Sequence, residues 1–306
     1  MTSGFDTPSP TNAAPPAALR PWPARARRWM FRWSLRALLG VALIVAAVAA
    51  YFWWTRPVPT PPTEIYRGVT YECRRLPRTS DAHGLVHLVT VDLAAPGIEI
   101  YVTPTDPAAT AAGWEYVTRW APSVAREEHT AVLINACLFR ARTASRFSGD
   151  YAHTIETMVA DHQVNHYWEH CYPLWFEDDG TPHMELSKPP RPEVLEQARW
   201  AVGGQIILSA NGHYNCPQVA ADRHTLVGLD PETRRLFVGV FDYATFRVAA
   251  ETLVGMGATR VMPLDGGTST TLVLGEDARG VPPGTKVYPW RALPAFFGIR
   301  ADKLPG

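Results

Sequence analysis

Val261-Met-Pro-Leu-Asp265-Gly-Gly-Thr-Ser-Thr-Thr271 runs from an apolar entry through one carboxylate and two glycines into a run of hydroxyls. Ahead of it, Phe246, Ala249, Leu253 and Met256 recur at helical spacing, so Thr245–Gly257 is read as a helix that Gly257 ends. After it, Thr271–Leu274 is read as a strand. Asp265 is then expected where a short buried strand runs out into a glycine turn. Gly266 and Gly267 permit positive φ and close approach of a ligand. Thr268, Ser269 and Thr270 add hydroxyls and amide N–H groups, a donor set suited to an oxyanion or a sugar. The competing reading is a tight turn whose aspartate caps its own backbone.

Working outward, Arg223–Asp230 and Arg235–Asp242 read as two strands of a hairpin about Pro231-Glu-Thr233. Arg223 stands at the mouth of its strand, where a guanidinium either clamps a phosphate in bidentate fashion or makes a surface ion pair. Ala201-Val-Gly-Gly204 enters another strand. Ala131–Phe139 is an apolar strand broken by Asn135, which is either a structural clip or a ligand contact, because a buried amide must be hydrogen-bonded. Leu85–Leu93 and Ile98–Thr103 are β-branched runs read as a second hairpin. Ala111–Arg126 carries Trp114, Val117 and Trp120 on one helical face, limited by Pro122. Together these predict an α+β fold: a mixed, largely antiparallel sheet with flanking helices in one domain over residues 66–302.

The chain has 306 residues, with 29 Lys+Arg balancing 29 Asp+Glu, which argues against a nucleic-acid binder. The charge is unevenly spread. Arg20, Arg25, Arg27, Arg28, Arg32 and Arg36 crowd the start, and Asp6 is the one acid before Glu64. Residues 1–36 are expected as a basic tail, disordered at least over its Pro-, Ala-, Ser- and Thr-rich first 23 residues, on the cytoplasmic side. Residues 37–54 carry no charge and end in Tyr51-Phe-Trp-Trp54, which suits one transmembrane helix with an interfacial aromatic belt. The positive-inside rule puts the rest of the chain outside the cytoplasm, periplasmic or extracellular. A cleaved signal with Ala47-Val-Ala49 as its site is the alternative, and Arg27-Arg28 is a loose twin-arginine match. A retained signal-anchor is favoured because the basic head is long and the exit aromatic. Residues 55–65 are Pro-rich and read as a stiff linker off the bilayer.

His162, His166 and His170 are four residues apart, which would align them on one face of a helix. A zinc site needs convergent ligands, and no H-E-x-x-H pattern accompanies them. No metal or cofactor is therefore expected, and a histidine-liganded metallohydrolase is kept as an alternative. Four cysteines allow up to two disulfides in an exported domain, with Cys171–Cys216 the pairing chosen.

In order along Leu85–Arg300, these segments resemble the phosphodiester glycosidase family. Val91-Asp-Leu93 resembles its opening strand and Ile134-Asn135-Ala-Cys-Leu-Phe139 its Asn-Gly-Gly-Phe-Phe segment. Ala201-Val-Gly-Gly204 is similar to its glycine-entered strand, Arg223-His-Thr225-Leu-Val-Gly228 to its Arg-Thr-x-x-Gly, and Leu264-Asp265-Gly-Gly-Thr-Ser269 to its Leu-Asp-Gly-Gly-Gly-Ser. Arg291 with Phe297-Gly-Ile299 resembles its closing segment. The resemblance implies hydrolysis of a sugar-1-phosphate diester, on cell-surface or exopolysaccharide glycans. It implies Asp265 as the catalytic carboxylate and Arg223 as the phosphate clamp. Asn135, Gly204, Thr225, Gly266, Gly267, Ser269 and Arg291 are then expected to line the substrate. A phosphodiester is already a good leaving group, so a second carboxylate is not required; Asp92, Asp222 and Asp242 are its candidates. Ala136, Cys137 and Thr268 stand where the family keeps glycine, so this is a divergent member. Its pocket either takes another glycan or holds glycan without turnover, as a non-catalytic envelope binding or scaffold protein.

Overall fold

The computed structural model describes residues 24–55, 57–143, 145–186, 192–282, 285–288 and 290–305, with the backbone alone for residues 24–35, 52–55 and 192–193. Two units separate at Arg56/Pro57. The first contains one helix, Ala24–Thr55. It begins well ahead of the expected span; the rest of the expected tail, residues 1–23, lies outside the described residues. Leu38, Leu43, Ile44 and Tyr51 on it are exposed. Among the described residues, no helix is long and apolar enough to cross a membrane.

The second unit is α+β, and every strand pair among its described residues runs antiparallel. An eight-stranded sheet has the order Thr60–Tyr66, Val69–Arg75, Ala82–Asp92, Arg235–Ala244, Asp222–Asp230, Arg260–Pro263, Ser209–Ala210, His213–Tyr214. A five-stranded sheet places Val132–Asn135 at its centre, between Leu272–Leu274 and Phe296–Arg300, with Lys286–Val287 and Glu99–Val102 at its edges. A second five-stranded sheet contains Met158–Ala160, Trp200–Gly204 and Tyr172–Phe176, and three short strands make a small fourth sheet.

Alternation along the strands decides how the sheets stack. In Ala82–Asp92, Val89 and Val91 point into a core shared with Ile134, Leu272 and Phe297. Val86 and Leu88 point the other way, onto Ala249 and Leu253 of the helix Phe246–Gly255. Each of these valine, leucine, isoleucine and phenylalanine side chains, fully buried, contributes about 1.5–3 kcal/mol. A smaller helix, Ala121–Glu127, covers Leu133, Val273 and Phe296 on the five-stranded sheet.

The hairpin over Arg223–Asp242 forms as Asp222–Asp230 with Arg235–Ala244, and Thr245 caps the following helix by accepting from Val248 N at 3.4 Å. Four expectations need correction. Leu85–Leu93 and Ile98–Thr103 are strands but not partners: the first pairs with Val69–Arg75 and Arg235–Ala244, the second with Phe296–Arg300. Long-range pairing outweighs the short connection between them. Ala111–Arg126 is not one helix. Gly113, at φ +78°, ends the helix Pro107–Ala111, and Pro122 lies in the first turn of the next. The linker expected to reach residue 65 is an edge strand from Thr60, a position that tolerates its prolines. The histidine helix is a hairpin. Asp161 and His162 take φ of 49° and 65° between the paired strands Met158–Ala160 and Gln163–His166, the geometry of a two-residue primed turn.

Candidate active site

The site forms where two sheets meet. Val132–Asn135 ends at Asn135, and Thr225 stands in the neighbouring sheet's Asp222–Asp230. Asn135 is 1% exposed, and its side chain is saturated. Its Oδ1 accepts from the Thr225 hydroxyl at 2.7 Å and from Thr271 N at 3.0 Å, and its Nδ2 donates to the Asp265 carbonyl at 2.6 Å. Asn135 and Thr225 thus clamp both ends of the Asp265 loop rather than presenting free polar atoms. Asp265 N in turn donates to the Ala136 carbonyl at 3.0 Å.

Asp265 follows the strand Arg260–Pro263, whose Pro263 is in register with Leu226. Beyond it, Gly267–Ser269 makes a single 3₁₀ turn, entered by Gly267 at φ +59°. The Asp265 carboxyl is nearly buried, and Gly266 N donates to its Oδ1 at 2.8 Å. Burial pushes its pKa up to about 6, against the opposing pull of the Ser269 hydroxyl, the Gly266 amide and the Arg291 charge. Ser269 is itself buried. A Cβ on Gly266 would lie 3.0 Å from the Arg223 carbonyl oxygen and 3.4 Å from His224 Nδ1, so this turn is pressed against the strand carrying Arg223. Gly204 is a packing glycine: a Cβ there would stand 2.7 Å from the Pro263 carbonyl, directly behind the site.

One guanidinium borders the turn, and a second belongs to the strand that the turn is pressed against. Arg291 donates to the Thr268 hydroxyl at 3.2 Å and lies over the Phe139 ring at 4.7 Å. Its Nε is buried and makes no hydrogen bond among the described residues. The Arg223 guanidinium turns instead onto the Tyr288 ring, 4.9 Å from its centroid. Tyr288 sits at φ 50°, and its hydroxyl donates to Asp242 Oδ1. Among the described residues neither arginine has a carboxylate partner.

The three candidate second carboxylates stand differently. Asp92 is exposed at a strand end and caps Ala94 N. Asp242 is engaged by Leu85 N at 2.6 Å and by Tyr288. Asp222 lies at the rim, with Oδ2 3.7 Å from where a Gly267 Cβ would be. The acid that reasoning from sequence missed is Glu156. It lines a cavity of about 480 Å³ with Leu138, His224, Phe246, Gly266 and Gly267. Burial raises its pKa to about 7, and the Asp265 charge adds to the effect. The one signal available was a carboxylate two residues before the apolar strand Met158–Ala160. His224 stacks on Phe246 at 4.2 Å, and its Nε2 has no partner among the described residues.

The histidines expected to align go separate ways: His162 pairs with Asp178, His166 with Glu115, and His170 with Glu169. Among the described residues no group of three or more metal-binding side chains gathers. All four cysteines are thiols, so the Cys171–Cys216 bridge is not made. Cys171 Sγ lies 3.0 Å from Thr157 Oγ1, whereas Cys216 Sγ faces the Leu208 carbonyl at 3.5 Å.

The model of the phosphodiester glycosidase family matches residues 130–300, more than half of the chain. The chain belongs to the phosphodiester glycosidase family. The match begins just before the strand bearing Asn135 and ends with the strand Phe296–Arg300, so it encloses Asn135, Glu156, Arg223, Asp265 and Arg291. Among solved structures, the fold is similar to a hypothetical protein from Synechocystis, with a TM-score of 0.57 at 13% identity, covering 76% of this chain. The chain spans 62% of the length of that protein. It is also similar to the zebrafish N-acetylglucosamine-1-phosphodiester alpha-N-acetylglucosaminidase catalytic domain auto-inhibited by its pro-peptide. There the TM-score is 0.54 at 15% identity, covering 79% of this chain and 86% of that one. No curated protein matches the sequence. Members of the phosphodiester glycosidase family are hydrolases, and these structural likenesses add the fold.

Proposed function

We propose that this chain hydrolyses a sugar-1-phosphate diester at Asp265. The observation that carries the reading is Arg291 at the Thr268 hydroxyl of the turn that follows a buried carboxylate, with Arg223 on the strand that this turn is pressed against, neither having a carboxylate partner among the described residues. An anion is the natural occupant of such a place, and the planar forks of two guanidiniums suit a phosphate. The Gly266-Gly267 backbone lets it approach closely. The cavity beside the turn, with His224 and Phe246 in its wall, takes the sugar. Asp265 then faces the anomeric carbon. Its carboxylate, ionised at neutral pH, stabilises the oxocarbenium-like centre as the C1–O bond to phosphate breaks, and activates the incoming water.

The proposal extends to location. The arginine-rich head, the charge-free stretch of residues 37–54 and the exposed apolar side chains along that helix support a signal-anchor in the cytoplasmic membrane. The catalytic unit is then periplasmic or extracellular, where envelope glycans and exopolysaccharides are its substrates. Alkaline phosphatase fused after Pro62 in a bacterial host gives an active, membrane-bound reporter on this reading. An inactive reporter, or one released by cleavage near Ala49, contradicts it.

The activity test is release of a free reducing sugar from a panel of sugar-1-phosphate diesters, beginning with N-acetylglucosamine, the sugar in the name of the zebrafish structure. Turnover of any one supports the reading. Tight glycan binding without turnover of any contradicts it and favours the scaffold reading.

A further inference from the structure

Glu156 lies in the short connection between the strands Tyr151–Thr154 and Met158–Ala160. It is 2% exposed, and its Oε2 has no hydrogen-bond partner among the described residues. The Leu138 backbone and the Gln205 side chain hold the carboxyl from the protein side. The residue lines the same cavity as Gly266 and Gly267, which directly follow Asp265. Buried polar atoms are almost always satisfied, so an unpartnered carboxyl oxygen on a cavity wall is open to a partner from the cavity, water or ligand.

We propose that Glu156 is the proton donor of this site and that, paired with Asp265, it extends hydrolysis from sugar phosphates to ordinary O-glycosides with alcohol leaving groups. The proposal rests on the phosphodiester glycosidase reading above. A phosphate leaves as a stable anion and needs little help, whereas an alkoxide leaves only with a proton. A second, protonated carboxyl is what the harder reaction requires.

The two environments separate the roles. Burial raises both carboxyls, Asp265 to about 6 and Glu156 to about 7, and the Asp265 charge adds to the rise at Glu156, so a proton held by the pair favours Glu156. The other titratable groups near Glu156 leave this division intact. Burial raises the Cys137 thiol far above neutrality and lowers His224 on the same cavity wall, which keeps both uncharged. The pKa of His166 is raised by its bond to Glu115 at 2.8 Å, and its charge is matched by that carboxylate. In the reaction, the bond between C1 and the glycosidic oxygen breaks as Glu156 protonates that oxygen. Water bonds to C1 and gives its proton to Asp265. Solvent then returns a proton from Asp265 to Glu156, and the products are a free sugar and an alcohol.

The test uses the full-length protein with three substrates built on whichever sugar it releases from a phosphodiester: that phosphodiester, the 4-nitrophenyl glycoside and the methyl glycoside. Wild-type protein is expected to cleave all three, and the methyl glycoside alone is expected to be lost as pH rises past about 7. Glu156→Gln, checked by thermal melt, is expected to slow the methyl glycoside on the order of a hundredfold or more, and the other two within about tenfold. Equal slowing of all three substrates overturns the proton-donor role. Cleavage of the phosphodiester with no cleavage of the methyl glycoside overturns the extension and leaves the phosphodiester reading standing. If no phosphodiester is cleaved, both readings fall. The wild-type pH profiles decide the matter even if the variant does not fold.

Discussion

Asn135 Nδ2 donates to the main-chain carbonyl of Asp265 at 2.6 Å, joining the end of one sheet to the Asp265 loop that leaves another. The same amide accepts from Thr225 and Thr271 through Oδ1. One side chain thereby fixes three chain segments around the carboxylate.

Replacing Asn135 with Ala strands the Thr225 hydroxyl, the Thr271 N–H and the Asp265 carbonyl in a buried place. Each stranded group costs about 1–3 kcal/mol, so a loss of several kcal/mol in urea unfolding is expected, with loss of activity beyond what unfolding explains. Asn135→Asp keeps the acceptor and loses the donor, and falls between. A variant as stable as wild type would show that this clamp does not hold the loop.

Gly204→Ala tests the packing behind the site. The new Cβ would meet the Pro263 carbonyl at 2.7 Å and Met262 Sδ at 3.2 Å, so the strand delivering Asp265 must shift. Destabilisation of about 1–3 kcal/mol is expected, together with a fall in kcat. Unchanged kcat would mean that Asp265 tolerates movement of its own strand.

Arg291 is the arginine whose charge Asp265 feels, whereas Arg223 rests on Tyr288. Arg291→Gln removes a positive charge that favours the carboxylate, so the Asp265 pKa rises further and the acid limb of kcat/KM moves to higher pH. Arg223→Lys keeps the charge and loses the fork. It is expected to raise KM for phosphodiesters and lower kcat without moving that limb. A shift of the limb in Arg223→Lys alone would reverse the assignment.

Glu156 and Asp265 also set a pH dependence of stability. Both carboxyls titrate higher in the folded chain than unfolded, so the folded state binds more protons through the window between the two values. Their stabilising contribution is full below about pH 4 and is lost as pH rises to about 7. Glu156→Gln removes one of these groups. Its melting temperature relative to wild type is expected to be higher at pH 8 than at pH 4. The opposite trend would show that Glu156 is ionised without cost in the fold.

The parts of this architecture legible in sequence were local. Asp265 could be placed because an apolar strand, a glycine pair and a strand follow one another within a few residues, and the Arg223–Asp242 hairpin because its turn lies between two β-branched runs. What depended on distant pairing was not legible. The runs at Leu85 and Ile98 look like partners until Phe296–Arg300 arrives from the far end of the chain. The spacing of His162, His166 and His170 suits a helix, but Asp161 and His162 accept positive φ and the sheet takes the segment. Glu156 stands among Thr154, Ile155 and Thr157 with no periodic signal. Its side chain packs close against the distant Gly203, where a Cβ would meet the Glu156 Cβ at 2.9 Å. The role of Asn135 needed both sheets in place, since its three partners lie 90 or more residues away.

The most direct test of the central claim is steady-state hydrolysis of a sugar-1-phosphate diester by wild-type protein and by Asp265→Asn, with a thermal melt of each. The substitution is nearly isosteric and cannot ionise. The account predicts turnover by wild type, and for the variant an intact fold with kcat lower on the order of a hundredfold or more. Near-wild-type turnover by Asp265→Asn would contradict it.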